Sequence, residues 1–163
     1  MKKLPPSGFT LIEVLATMIL IGILATTAIS KFAGSDSFEA YTYRTSLISA
    51  LRLTQQRAMQ QTDNDHCHQI VFDTNRYGIP DRTDCGVVNF PNGWQPDYTG
   101  IDLSGTRYTV TFSIDGAGNI ISFDSMGRPQ NNCAGGCKIN IASISSGETV
   151  QIQIESEGYI HGI

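Results

Sequence analysis

The sequence predicts an α+β fold: one long N-terminal helix, apolar in its first half and amphipathic in its second, packed on an antiparallel β-sheet. Three observations predict it. Between Phe9 and Ile29 the only ionisable residue is Glu13, and the other polar side chains are Thr10, Thr17, Thr26 and Thr27. From Ser35 to Thr62 apolar residues return at three- and four-residue steps. Beyond Asp63 the period shortens to two, the spacing of a strand with one buried face.

A chain of 163 residues is long enough for one domain with its own core and too short for two. With 40% hydrophobic and 16% charged residues, its composition is that of an ordinary globular protein and gives no reason to read it as disordered.

The first segment, Met1–Gly8, carries Lys2 and Lys3 and the pair Pro5-Pro6, which cannot continue a helix. The apolar run after it, residues 9–30, would span roughly 30 Å at about 1.5 Å per helical residue, the thickness of a hydrocarbon core. Lysines ahead of the run place the N-terminus in the cytoplasm and everything after Lys31 outside. An ordinary secretory signal is cut after its apolar region at small residues, and Ala25-Thr26-Thr27-Ala28 offers such a site. A secreted domain released near Ala28 is therefore one reading of this end.

In the second helical segment Ala40, Tyr43, Leu47, Ala50, Leu51 and Ala58 form an apolar stripe, while Arg44, Arg52, Gln56 and Gln60 take the other faces. Gly34-Ser35-Asp36 is the one breaker between the segments, so a single helix bent at Gly34 is expected, ended by Asp63-Asn64-Asp65. Strands are expected at His68–Phe72, Val87–Phe90, Arg107–Ile114, Ile120–Asp124, Lys138–Ile144, Thr149–Glu155 and Tyr159–His161. Asp115-Gly116-Ala117-Gly118-Asn119 reads as a hairpin turn, as do Gly147-Glu148 and Glu157-Gly158. Pro91–Ser104 reads as a loop. A one-sided sheet must bury its apolar face, and the Ala40–Ala58 stripe is the cover available.

Residues 63–163 hold five Lys and Arg against twelve Asp and Glu, a balance of −7. An acidic domain repels phosphate, so no nucleic-acid partner is expected. Cys67, Cys85, Cys133 and Cys137 all follow the apolar run. An even count confined to the exported side suits disulfides. Four cysteines allow three connectivities; Cys67–Cys85 with Cys133–Cys137 closes the shortest loops, and Cys133-Ala134-Gly135-Gly136-Cys137 is flexible enough to bridge itself. His66-Cys67-His68 with the other cysteines lacks the spacing of a familiar zinc module. Asp73-Thr74-Asn75-Arg76-Tyr77-Gly78, with Asp81 and Asp84, partly matches a calcium loop. Tyr77 stands at a ligand position, however, and Asp84 replaces the final bidentate Glu. No histidine is set beside a nucleophile in a recognisable motif, and no Gly-rich loop enters a helix. Neither an enzyme nor a cofactor or metal site is expected.

Gly8-Phe9-Thr10-Leu11-Ile12-Glu13, followed by the apolar stretch, resembles the processing site of type IV prepilins and type II secretion pseudopilins. The resemblance implies the type IV pilin fold and a leader, residues 1–8, cut between Gly8 and Phe9 by prepilin peptidase. It implies N-methylation of Phe9 by the same peptidase/methyltransferase. Residues 9–30 would be the transmembrane and filament-core helix, 31–62 the amphipathic continuation, and 63–163 the periplasmic globular domain, carried from the inner membrane into a filament of other pilin or pseudopilin subunits. Gly22 stands where the family usually has glycine; Ser30 stands where major pilins commonly carry proline, which fits minor pilins better. Phe123-Asp124-Ser125-Met126-Gly127-Arg128-Pro129 is similar to a strand-end Gly-Arg segment of the GspH/FimT class, while residues 155–161 hold no Lys or Arg, so the DNA binding of some relatives is not carried over. The leading expectation is a structural minor pilin resembling the MSHA type, active in pilus assembly and adhesion. The alternatives are an H-type pseudopilin and a membrane-anchored periplasmic binding module that never polymerises.

The motif also has a physical reading. Glycine at position 8 lets a protease approach the scissile bond closely. Cleavage would create an amine at Phe9 one helical turn from the Glu13 carboxylate. A carboxyl inside a bilayer costs about 2.5–3.5 kcal/mol and calls for a partner; an amine on a neighbouring subunit is one. The competing account is that Glu13 snorkels to the interface.

Overall fold

A computed structural model describes residues 10–32, 36–61, 66–105, 110–116 and 118–163, without the side chains of 27–32 and 36–38. The chain divides into two units, Met1–Ser35 and Asp36–Ile163. The first holds helix α1, Leu11–Phe32. The expected bend at Gly34 and the expected helix stop at Asp63–Asp65 both lie outside the described residues.

The second unit opens with α2, Asp36–Gln60. Its stripe is buried as the spacing requires: Ala40, Leu47, Ala50, Leu51 and Ala58 are inaccessible, and Tyr43 packs edge-on against Phe112 at 6.2 Å. Eight short strands follow: β1 Gln69–Asp73, β2 Arg76–Gly78, β3 Ile101–Asp102, β4 Val110–Ile114, β5 Ile120–Ser122, β6 Cys137–Ser143, β7 Thr149–Ile154 and β8 Ile160–Gly162. A turn of 3₁₀ helix, Asn131–Cys133, precedes β6.

The strands build two four-stranded antiparallel sheets rather than one, in the orders β3-β2-β1-β5 and β4-β6-β7-β8. Alternation along β6 and β7 is the reason α2 docks there: Ile139, Ile141, Val150, Ile152 and Ile154 face inward and are buried with the helix stripe in one core. Tyr77 and Phe112, 5.1 Å apart and edge to face, join the two sheets.

Three further expectations are corrected. Asp115–Asn119 is no hairpin: β4 pairs with β6 and β5 with β1, so the segment carries the chain from one sheet to the other. Gly116 and Gly118 there take φ of 100° and 126°, a freedom the crossing uses as readily as a hairpin would. Val87–Phe90 is no strand. Val87 N–H closes a turn onto Asp84 O at 3.2 Å, and Phe90 packs on Trp94 with ring centres 4.5 Å apart. The loop expected at Pro91–Ser104 contains β3, which adds to the β2 edge through Arg76↔Asp102 and Tyr77↔Ile101. The turns at Gly147-Glu148 and Glu157-Gly158 do join paired strands, β6 to β7 and β7 to β8.

Candidate functional site

The feature with the plainest demand on its surroundings is α1. From Leu11 to Thr26 every side chain is exposed, Leu11 at 83% and Met18 at 70% among them. The threonine hydroxyls do not break the apolar surface: Thr17 donates to Val14 O and Thr26 to Ile23 O, each at 2.9 Å. Glu13 is the acidic residue of the first turn, its N–H donating to Thr10 O at 3.1 Å. A carboxylate near a helix N-terminus is favoured by the exposed N–H groups there. A helix apolar on all sides has to be covered by something else. Among the described residues, whose side chains in α1 end at Thr26, no helix is long and apolar enough to cross a membrane. Gly8 and Phe9, the expected cleavage and methylation residues, lie outside the described residues.

The Gly-Arg segment after β5 folds as a tight turn. Phe123 and Pro129 bridge across it, Asp124 N–H donates to Arg128 O at 2.9 Å, and Gly127 takes φ 78°. The Asp124 carboxylate accepts the N–H groups of Arg128 and Met126 at 2.8 and 2.9 Å, and Arg128 Nη2 at 2.9 Å. Those bonds, the Arg128 backbone N–H first, hold its carboxyl below the usual range. Gln55 of α2 reaches this turn and the β7–β8 turn together, its Nε2 donating to Gly127 O at 2.6 Å and Gly158 O at 2.7 Å. Two α2 side chains that the sequence places off the apolar stripe also reach the last strand: Arg52 Nη2 donates to Ile160 O at 2.7 Å and Arg44 Nη1 to Ile163 O, just past β8, at 3.3 Å. Periodicity could not reveal these contacts, because a long polar side chain beside a buried stripe can reach past it.

The cysteines pair as Cys67–Cys85 and Cys133–Cys137, each with Cα atoms 5.2 Å apart. His68 Nε2 bonds to Gln61 O at 2.8 Å. The calcium-like stretch is distributed over unlike structures. Asp73 closes the β1–β2 hairpin on Arg76 at 3.0 Å, and Asp81 accepts Thr83 N–H, Thr83 Oγ1 and Asp84 N–H. Those bonds, the Thr83 backbone N–H first, hold the Asp81 carboxyl low. Among the described residues no group of three or more His, Cys, Asp or Glu could hold a metal ion.

Sequence reading takes Pro91–Ser104 as a loop without singling out Trp94, which lies between β2 and β3. Trp94 organises it: Nε1 donates to Ile79 O at 3.2 Å, and its ring edge lies where a Cβ on Gly78 or Gly100 would stand, at 2.7 and 2.9 Å. Asp97 fastens the far side, accepting Thr99 N–H and Oγ1 at 2.8 and 2.6 Å and pairing with Arg82. A single Trp between Pro91 and Pro96, with Gly78 and Gly100 flanking it, was the available signal.

The family described as the prokaryotic N-terminal methylation motif matches residues 6–29. Among solved structures, the type IV minor pilin FimU of Pseudomonas aeruginosa PAO1 is similar over 79% of this chain and 91% of its own, with a TM-score of 0.54 at 13% identity. The minor pseudopilin EpsH from the type 2 secretion system of Vibrio cholerae is similar over 77% of this chain and 96% of its own, with a TM-score of 0.51 at 12% identity. No curated protein matches the sequence. The chain thus joins the methylation motif to the type IV pilin fold.

Proposed function

We propose that this chain, which carries the methylation motif of prepilins on the fold shared by minor pilins and minor pseudopilins, is a structural minor subunit of a type IV pilus or a type II secretion pseudopilus. The observation that carries the reading is α1: apolar on every side, with one carboxylate a single turn from the residue that cleavage would expose. Such a helix can be held by lipid before assembly and by the same helices of neighbouring subunits afterwards. On this reading residues 1–8 are removed by prepilin peptidase, Phe9 is methylated, residues 9–30 anchor the chain in the inner membrane, and the acidic domain stands in the periplasm.

Of the two assemblies, the leading reading is a pilus of the MSHA-like kind, with a part in assembly and adhesion; Ser30, in place of the proline common in major pilins, supports a minor subunit. The likeness to EpsH keeps the pseudopilus as the second reading. Intact-mass spectrometry of membrane-extracted protein tests the proposal: the mature chain should begin at Phe9 and carry one methyl group there. A mature N-terminus near Ile29 would remove it. Recovery in sheared surface filaments, against co-purification with a secretion complex, separates pilus from pseudopilus.

A further inference from the structure

We propose that the cleft beside Trp94, which lies between β2 and β3, is a binding site for an uncharged saccharide. The cleft has a volume of about 560 Å³ and is lined by Arg76, Asn92, Trp94, Gln95, Asp102 and Ser104 among others. That volume falls in the range of ligand sites.

Three properties of the lining select the ligand. The first is charge balance. Arg76 and Asp102 are direct cross-strand partners of β2 and β3, and Arg76 also pairs with Asp73 at 3.0 Å. Arg76 and Asp102 are the charged residues of the lining, so an anion entering the cleft meets a carboxylate and a cation meets the guanidinium, and neither sign is favoured. The second is hydrogen-bonding capacity. Carboxylate, guanidinium and two primary amides together accept and donate in several directions, with the Ser104 hydroxyl already bonded to Asp102, which matches a ring of vicinal hydroxyls, each both donor and acceptor. The third is the aromatic wall: the half-buried indole of Trp94 can pack against the C–H face of a pyranose while the polar groups take its edge.

The cleft is also built in advance of any ligand. The Arg76 guanidinium lies 4.8 Å over the Phe90 ring, Phe90 packs on Trp94, and Trp94 is fixed by its bond to Ile79. One oxygen of Asp102 is held by Ser104 N–H at 2.8 Å, and Leu103 N–H is tied to Asn75 O at 3.0 Å. A pre-ordered loop loses little freedom on binding. The site belongs to the globular unit and does not rest on the assembly reading.

Trp94 is the only tryptophan of the chain, so its fluorescence reports on this cleft alone. The full-length protein, in a detergent without a sugar headgroup, is titrated with galactose, mannose, glucose, N-acetylglucosamine and their neutral oligosaccharides, and with sialic acid as the anionic control. At least one neutral sugar should give a saturable change. Losing a hydrogen bond to a charged group should weaken it about tenfold or more in Asp102→Ala. Asn92→Ala, at an exposed position, should weaken it as well, with the unliganded emission unchanged, which guards against a folding defect in the first variant. Absence of a saturable change with every neutral sugar, a response to sialic acid alone, or undiminished binding by both variants would each overturn the proposal.

Discussion

Gln55 and Gly158 meet where α2 crosses the last turn of the domain, the Gln55 amide donating to the Gly158 carbonyl at 2.7 Å. The approach is close because Gly158 has no side chain. A Cβ there would lie 2.2 Å from Gly127 O and 2.6 Å from Gln55 Nε2, and its φ of 94° is left-handed. Gly158→Ala should therefore cost about 3 kcal/mol or more, from a left-handed penalty of about 1–2 and overpacking of about 1–3. Near-UV circular dichroism during denaturant unfolding of the full chain would measure it. Gly105→Ala, where nothing lies within 4 Å, should stay within about 0.5 kcal/mol of the parent.

The Asp124 turn gives the domain an acid-sensitive element. Its folded carboxyl has a lowered pKa, so the bonds it accepts from Arg128 and Met126 stabilise the fold above the unfolded value and are lost as pH falls through the folded one. Asp81 and Asp102 shift the same way. Stability should be flat near neutrality and decline below about pH 4. Asp124→Asn should be less stable at pH 7 and show a shallower acid decline, read from unfolding midpoints across pH 2–7 on the scale of such titrations.

Alkylation of exported, unreduced protein should label no cysteine. The bridges should differ in weight: Cys67–Cys85 closes a separation of 18 residues and Cys133–Cys137 one of 4. In the chain-entropy account these contribute about 3 and about 2 kcal/mol. Cys85→Ser should accordingly lower abundance more than Cys133→Ser, in pulse-chase measurements of the exported domain. Stoichiometric zinc with four reactive thiols would contradict both expectations.

Substitution of Glu13 tests whether membrane insertion and assembly, as proposed, have separate requirements. If the carboxylate only snorkels, Glu13→Val leaves processing, insertion and incorporation intact. If it answers the Phe9 amine of a neighbour, the variant strands that amine in an apolar core. Stranding one member of a buried pair costs about 3–5 kcal/mol, a factor of several hundred in recruitment. We expect Glu13→Val to be cleaved and retained in the membrane yet missing from filaments. The methyl group on Phe9 is checked in the same sample, since its loss would give the same defect. Normal recovery in filaments would return Glu13 to the snorkelling account.

The sequence was most legible where burial imposes a period. The stripe of α2 and the alternation of β6 and β7 are read directly from residue spacing, because both face one core. Strands β2 and β3, with three and two residues, are too short to show any period. Asp115–Asn119 carries strong local turn chemistry, but the partner of β4 is set by β6, more than twenty residues away, which no local signal encodes. Val87–Phe90 has the composition of a strand and spends its aromatic ring on Trp94 instead. For the candidate sites the contrast is sharper. Gly8, Phe9 and Glu13 are read from a motif alone, whereas the Trp94 cleft exists only once β3 has paired with β2 and brought Asp102 opposite Arg76.

The bonds from α2 to the end of the chain bear on how the domain is made. Arg52 and Ile160 are 108 residues apart, and Gln55 and Gly158 are 103 apart. The strands that cover the α2 stripe, β6 to β8, are thus synthesised well after it and, on the proposed reading, cross the membrane after it. Contacts of such long range are slow to form, because a long loop must close before they contribute. If the chain is exported as proposed, the stripe from Ala40 to Ala58 is an uncovered apolar surface on the way, at risk of association with other chains until β6 to β8 arrive.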